Sequence, residues 1–231
     1  MRPGAPVFIQ QSCMAYRQTD RVVRKLAARR EAILAAACAT LAENGIAAVQ
    51  IAAIADRAGI ASGTVYRYFP SKTELVAAVV EALCEEEVAA LAQAASAAPG
   101  PLSALAAALA TFTRRAIARR PLVLALMASP LEPELEGALL SFRRALAGEL
   151  EKLIGRALAA GSLQHQEAPF AGPALLGGLI EGAIGPLAPR AGMAPEQTSA
   201  HVQRLTLLAL RALGVRDARA RGLVLQLTES A

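Results

Sequence analysis

Between Glu134 and Ala160 the apolar residues Leu135, Leu139, Phe142, Leu146, Leu150, Leu153 and Ala157 follow one another in steps of three and four. That spacing places all of them on one face of an α-helix. It recurs upstream, in Ile33, Leu34, Ala37 and Leu41, and no long period-two pattern appears before the last residues. The chain is therefore expected to be all-α. Composition agrees: 55% of the residues are hydrophobic but only 3% are aromatic and none is Trp, so the core has to be built from Ala, Leu, Val and Ile. Such cores favour packed helices. With 231 residues the chain is long enough for one large domain or two small ones without staples.

Breakers divide this helical pattern. Residues 1–20 show no apolar periodicity and read as a flexible N-terminal arm, in which Met14 is an alternative start. A first helix is expected from Arg21 to Asn44, where Asn44-Gly45 stops it. Ile51, Ile54, Ala55 and Ala58 then mark a short second helix ended by Gly59. After the turn Gly59-Ile60-Ala61, Ser62 to Phe69 forms a third, with Val65 and Phe69 one turn apart for packing and Pro70 closing it. Ser71 and Glu74 form a capping box, so a longer helix begins at Lys72, and its first-turn amides suit a phosphate. Residues 21–72 thus read as a small three-helix domain and 73–214 as a larger helical one, with apolar helices near 171–187 and 195–213. Residues 215–231 are left as a tail without an assigned structure.

Several function classes find no support. Cys13, Cys38 and Cys84 are scattered, without CxxC or Cys/His spacing, which points to reduced thiols and no zinc site. His165 and His201 read as solvated or locally hydrogen-bonded side chains, and no cofactor is called for. Pro3 and Pro6 interrupt the N-terminus before a secretory apolar core forms. The charge-free stretch Val88 to Thr113 is split by Pro99-Gly100-Pro101, so two helices are expected rather than a membrane span. No phosphate loop, nucleophile elbow or catalytic carboxylate pair is visible, which argues against an enzyme. A cytoplasmic protein is the expectation.

Charge is more informative. Up to Lys72 there are ten Lys/Arg against four Asp/Glu, whereas the remainder carries fourteen against fifteen. The basic surplus of the whole chain therefore sits in its N-terminal third, where it suits a polyanion or, more plainly, forms a solvated basic face. Two short helices joined by a glycine turn inside that region are the sequence form of a helix-turn-helix. Ile54 to Lys72, IADRAGIASGTVYRYFPSK, closely resembles the signature of the tetracycline-repressor (TetR) family of regulators, and the flanks REAILAAA (Arg30 to Ala37), Glu43-Asn44-Gly45 and Glu74-Leu75 extend the match to roughly residues 26–80.

The resemblance implies a fold with an N-terminal helix-turn-helix domain followed by a larger ligand-binding and dimerisation domain. It also implies that Ser62, Gly63, Thr64, Tyr66, Arg67 and Tyr68 form a recognition helix in the major groove of double-stranded DNA. Arg67 is able to read guanine O6/N7 or to hold a phosphate; Ser62 and Thr64 suit bases or phosphates. Tyr66, Tyr68 and Lys72 are better placed for phosphates, and Gly63 clears the backbone for close approach. Gln50 and Ala61 stand where relatives carry Ser or Thr caps, leaving Ser62 to cap the third helix or that helix to start one residue later. With Ala52 and Ala53 on the second helix, specificity shifts toward DNA shape and an arm around Arg17, Arg21 and Arg24.

A family member of this form is a homodimer on a palindromic operator, paired through its last two helices and released by a small-molecule effector. The helix near 171–187 offers Gly177, Gly178, Gly182 and Gly185 for close approach, and the one near 195–213 offers a stripe of Val202, Leu205, Ala209 and Ala212. Leu105, Phe112, Leu122, Leu126, Met127, Leu139 and Phe142 are candidates to line a pocket for a hydrophobic effector. Glu181, flanked by Leu179, Ile180, Ala183 and Ile184, faces solvent, an Arg across the interface or a cationic ligand. A nucleoid-type protein binding DNA without sequence preference is the alternative.

Overall fold

The computed structural model describes the backbone of residues 8–127, 133–164, 166–189 and 192–229, and side chains within 21–126, 133–164, 166–189 and 192–227. Among these residues every regular element is a helix, in the order α1 (Phe8–Asn44), a 3-10 turn (Ile46–Ala48), α2 (Ile51–Ala58), α3 (Ser62–Tyr68), α4 (Lys72–Ser96), α5 (Pro101–Ala118), α6 (Arg120–Met127), α7 (Pro133–Ala159), α8 (Ala168–Ile184), α9 (Pro195–Ala212) and α10 (Asp217–Glu229). Among the described residues no helix is long and apolar enough to cross a membrane.

Two expectations need correction at the ends. The arm expected over residues 1–20 is helical from Phe8 onward, continuous with α1, and residues 1–7 lie outside the described residues. After Pro6 the segment holds no Gly or Pro, and its Gln, Met, Ala and Arg are good helix formers, so a helix nucleated downstream propagates through it. At the other end, the segment left unassigned over 215–231 contains α10, which packs on α9 and α5. Ala220 and Val224, one turn apart on α10, are buried, as is Val215 just before it, a pattern that a run of interleaved arginines obscures in the sequence.

Two cores result. One joins α1, α2, α3 and the first half of α4 through Ile33, Leu41, Ile54, Val65 and Leu75, and it also takes in Leu122 and Leu126 of α6 and Leu135 of α7. The other is built on α5, α7 and α9 around Leu105, Leu109, Leu150, Leu153 and Leu210. Phe142 of α7 packs against both. The small N-terminal unit is therefore continuous with the larger one: α4 starts with the cap expected, Ser71 Oγ accepting from the Glu74 amide at 3.1 Å, and runs 25 residues from the first core into the second. Burial of this kind is worth roughly 1.5–3 kcal/mol for each large aliphatic side chain.

Candidate nucleic-acid interface and adjoining pocket

The turn between α2 and α3 is set by one glycine. Gly59 ends α2 in the left-handed region at φ 66°, ψ 35°, and the Ile60 amide donates back to the Ala55 carbonyl at 3.0 Å, closing the turn that sends α3 across α2. A residue with a Cβ is strained in that conformation. Val65, fully buried, and Phe69, nearly so, pin α3 to the core, while Arg30 of α1 lies over the Phe69 ring at 5.6 Å. Arg57 of α2 makes a two-pronged pair with Glu43 at the end of α1, 2.6 Å on each branch. That pairing holds the Glu43 carboxyl below its ordinary value, chiefly through the hydrogen bond.

With Val65 and Phe69 turned inward, the opposite face of α3 presents Gly63, Tyr66 and Arg67 to solvent, and Ser62 and Thr64 are half-buried beside them. Tyr66 is 52% exposed although it is a large aromatic, and Lys72 is exposed at the first turn of α4. A Cβ added at Gly63 meets nothing within 4 Å, so its bareness serves no packing purpose inside the chain. Arg21, Arg24, Lys25, Arg29 and Arg30 are all exposed on α1 and extend the basic face; the Arg17 side chain lies outside those described. Tyr68 departs from the phosphate role expected for it. Its ring packs on the core, with its centroid 6.5 Å from that of Phe69, and its hydroxyl is buried with no hydrogen-bond partner among the described residues.

The caps also differ from expectation. Gln50 and Ala61 are the N-caps of α2 and α3, neither makes a side-chain cap hydrogen bond, and Ser62 is the first residue within α3 rather than its cap. The Thr64 amide bonds to the Ala61 carbonyl at 2.8 Å, which fixes the start of the helix one residue earlier than a Ser62 cap requires. The missing caps forgo about 1 kcal/mol each.

Where the two cores meet, α4 to α8 leave a pocket of about 820 Å³, open mouth included. Of the residues expected to line one, Phe112, Leu122, Leu126, Leu139 and Phe142 do. Leu105 does not: it is fully buried in the second core, two turns before the end of α5 that borders the space. The Met127 side chain lies outside those described. Missed altogether were Glu87 on α4, Arg115 on α5, Arg119 at the C-cap of α5 and Arg143 on α7, which also line it. Glu87 is only 6% exposed and receives Arg115 Nε at 2.7 Å and Nη2 at 3.0 Å. The signal was present in the sequence, since Glu87 occupies an apolar position in the run Val80, Leu83, Glu87, Leu91, and Arg115 and Arg119 stand one turn apart.

The last helices divide differently from expectation. Val202 and Ala209 are buried and belong to the chain's own packing; the outward stripe of α9 is instead Arg204, Leu208 and Ala212. Gly182 lets α9 approach, as a Cβ there would stand 2.6 Å from Leu205 Cδ2, whereas Gly177 and Gly178 face no neighbouring atoms. His201 Nε2 donates to the Gly182 carbonyl at 2.9 Å, which fastens α8 to α9. Phe170, Ala174, Gly178, Leu205, Leu208 and Ala212 line an apolar groove between them, with Phe170 76% and Leu208 62% exposed. Glu181 is exposed, its carboxylate folded over Gly185.

Comparisons with known proteins agree with this geometry. Residues 33–79 match the family described as bacterial regulatory proteins, tetR family. Over 48 residues the chain is 54% identical to the HTH-type transcriptional repressor KstR of Mycobacterium tuberculosis, a match covering 21% of this chain and 22% of that protein. Over 58 residues it is 50% identical to KstR of Rhodococcus jostii, covering 25% and 26%. The likeness to these repressors thus spans about a quarter of their length or less. Whole-chain similarity comes from solved structures: RolR in complex with resorcinol (25% identity, TM-score 0.60, 87% of this chain and 95% of that one) and a TetR/AcrR-family regulator from Thermobifida fusca (25% identity, TM-score 0.63, 79% and 96%). The segment that carries α2 and α3 is thus similar in sequence to the tetR family of bacterial regulatory proteins and to named repressors, and the helical body is similar in fold to solved regulators.

Proposed function

We propose that the protein is a sequence-specific DNA-binding repressor, acting as a homodimer on a palindromic operator and released by a small-molecule effector. The observation that carries this is the surface of α3: buried Val65 and Phe69 on one side and exposed Gly63, Tyr66 and Arg67 on the other, within the basic third of the chain. Arg67, Ser62 and Thr64 read base edges, while Tyr66 and Lys72 hold phosphates and fix register. The half-buried Tyr68 supports the helix from behind.

One seven-residue helix touches too few base pairs for useful specificity. Pairing through the exposed groove of α8 and α9 would set two such helices in successive major grooves about 34 Å apart. That groove is apolar and continuous, as a self-complementary interface requires. The pocket between the two cores is the effector site, and a structural relative solved with resorcinol supports a small-molecule effector. The reaction classes of an enzyme have no place in this scheme, and a cytoplasmic location follows from the task.

The test is selection of bound sequences from random DNA. A single palindromic consensus with two half-sites supports the proposal; equal retention of all sequences returns the nucleoid-type alternative.

A further inference from the structure

The wall of the pocket carries more positive charge than its own carboxylate answers. Arg115, Arg119 and Arg143 line it against Glu87 alone. Glu87 is already engaged by Arg115, and Arg119 Nη1 stands 3.2 Å from the same carboxylate. That Nη1 is nonetheless buried and makes no aligned hydrogen bond. The other branch of Arg119 donates to Glu86 Oε2 at 2.6 Å, and Arg143 has no hydrogen bond or ion pair among the described residues. Counting Glu86 as well, three guanidinium groups face two carboxylates, and the rest of the lining is almost wholly aliphatic or aromatic. A buried donor left without a partner is costly, and an unanswered charge beside apolar walls is felt more strongly than one in water.

We propose that this pocket takes an amphipathic monoanion, a carboxylate or comparable acid on a hydrocarbon or aromatic body, with Arg119 holding the acid group. This rests on the assignment of the pocket as the effector site. Arg119 Nη1 lies beside Glu87 without an aligned bond, so a neutral oxygen supplies an acceptor but no charge and a cation adds to the surplus, whereas an acid supplies both the acceptor and the charge. The acid also competes with Glu86 and Glu87, both on α4, for the guanidinium of Arg119, which caps the C-terminus of α5. Binding therefore exchanges a tie between helices for a tie to the ligand and frees α4, the helix that begins at the reading head.

Two dyes of the same body separate the charge from the hydrocarbon: 8-anilino-1-naphthalenesulfonate and its uncharged counterpart N-phenyl-1-naphthylamine. The chain has no Trp to interfere with their fluorescence. The sulfonate is expected to bind the unaltered protein about tenfold to a hundredfold more tightly than the naphthylamine, the range of one charge-assisted hydrogen bond. In Arg119→Gln that ratio falls toward one, and Arg119→Lys keeps most of it. Ala116→Trp, which fills the pocket, abolishes binding of both dyes. Equal affinities in the unaltered protein, an unchanged ratio in Arg119→Gln, or sulfonate binding that survives Ala116→Trp overturns the proposal. Release of operator DNA, measured alongside, keeps the two ideas apart. Release by the naphthylamine but not the sulfonate refutes the anion site and leaves effector release standing. Arg119-dependent sulfonate binding without release supports the site and refutes release.

Discussion

Replacing Gly63 separates what the fold needs from what DNA needs. Gly63 lies inside the first turn of α3, its backbone is helical, and a Cβ placed there meets nothing within 4 Å. Within the protein the glycine therefore only loses: exchange for Ala in a helix gains roughly 0.5–1 kcal/mol through lower unfolded-state entropy. For a chain of this size each kcal/mol moves the melting temperature by about 2–4 °C, so Gly63→Ala is expected to melt about 1–4 °C higher. Binding should move the other way. If the bare backbone is what lets α3 approach, Gly63→Leu forces the helix outward and stretches the flanking contacts from Tyr66, Arg67 and Lys72. Loss of even one charge-assisted contact lowers operator affinity by about tenfold or more. Calorimetric melting and fluorescence anisotropy with the selected operator, at one fixed salt concentration, read the two effects. A Leu variant that melts normally and binds DNA with unchanged affinity would refute the placement of this face against DNA.

Other expectations concern charge and assembly. Lys72→Ala should weaken binding to all sequences alike and reduce the salt slope by about one unit, whereas Arg67→Ala should relax preference at one base position in each half-site; affinity titrations against operator and scrambled DNA tell them apart. Glu43 and Asp217 both have carboxyls held below their ordinary values, Glu43 by hydrogen bonding to Arg57 and Asp217 by bonding to Arg221 and Arg211. Because the folded values are depressed, their stabilisation is present above the unfolded carboxylate range and fades as pH falls through the folded value. Glu43→Gln and Asp217→Asn should therefore melt below the unaltered protein at pH 7 and converge with it in acid. Phe170→Glu and Leu208→Glu place charge on exposed positions of the α8–α9 groove. Sedimentation should find monomers with intact helix content and poor operator affinity; a dimer in both variants sinks the interface.

What was legible in the sequence was whatever local chemistry decides. Gly59, Pro70 and the Ser71-Glu74 pair each fix a boundary by backbone conformation or capping, and the structure places α2, α3 and α4 where those residues put them. Candidate residues pinned by the same short range, Gly63, Tyr66, Arg67 and Lys72, come out exposed together. Tyr68 differs because residue type and position on a short helix do not say that its ring lies against the first core with the hydroxyl buried. The α9 stripe failed for a different reason. An apolar helix with two greasy faces leaves open which one enters the core, and spacing alone does not say that Val202 and Ala209 face inward while Leu208 faces out. The Arg115–Glu87 pairing joins residues 28 apart and exists only once α4 and α5 are side by side.

On the proposed function, that pairing also bears on how an event in the pocket would reach DNA. Glu87 and Lys72 sit on one unbroken helix, about 22 Å apart at 1.5 Å per residue. A tilt of about 5° pivoting near Glu87 displaces Lys72 by about 2 Å over that length. In a twofold dimer the two heads move in opposite senses, so their separation changes by about 4 Å against a spacing of about 34 Å set by the DNA. Hydrogen bonds near 3 Å do not stretch that far, and the contacts are lost together. The lever works only if α4 carries α2 and α3 with it, and the first core provides for that: Leu75, Val76 and Val79 of α4 are buried in the same cluster as Ile54 and Val65. Leu122 and Leu126, which border the pocket from α6, belong to that cluster too, so the space an effector would fill is walled in part by the reading head's own core.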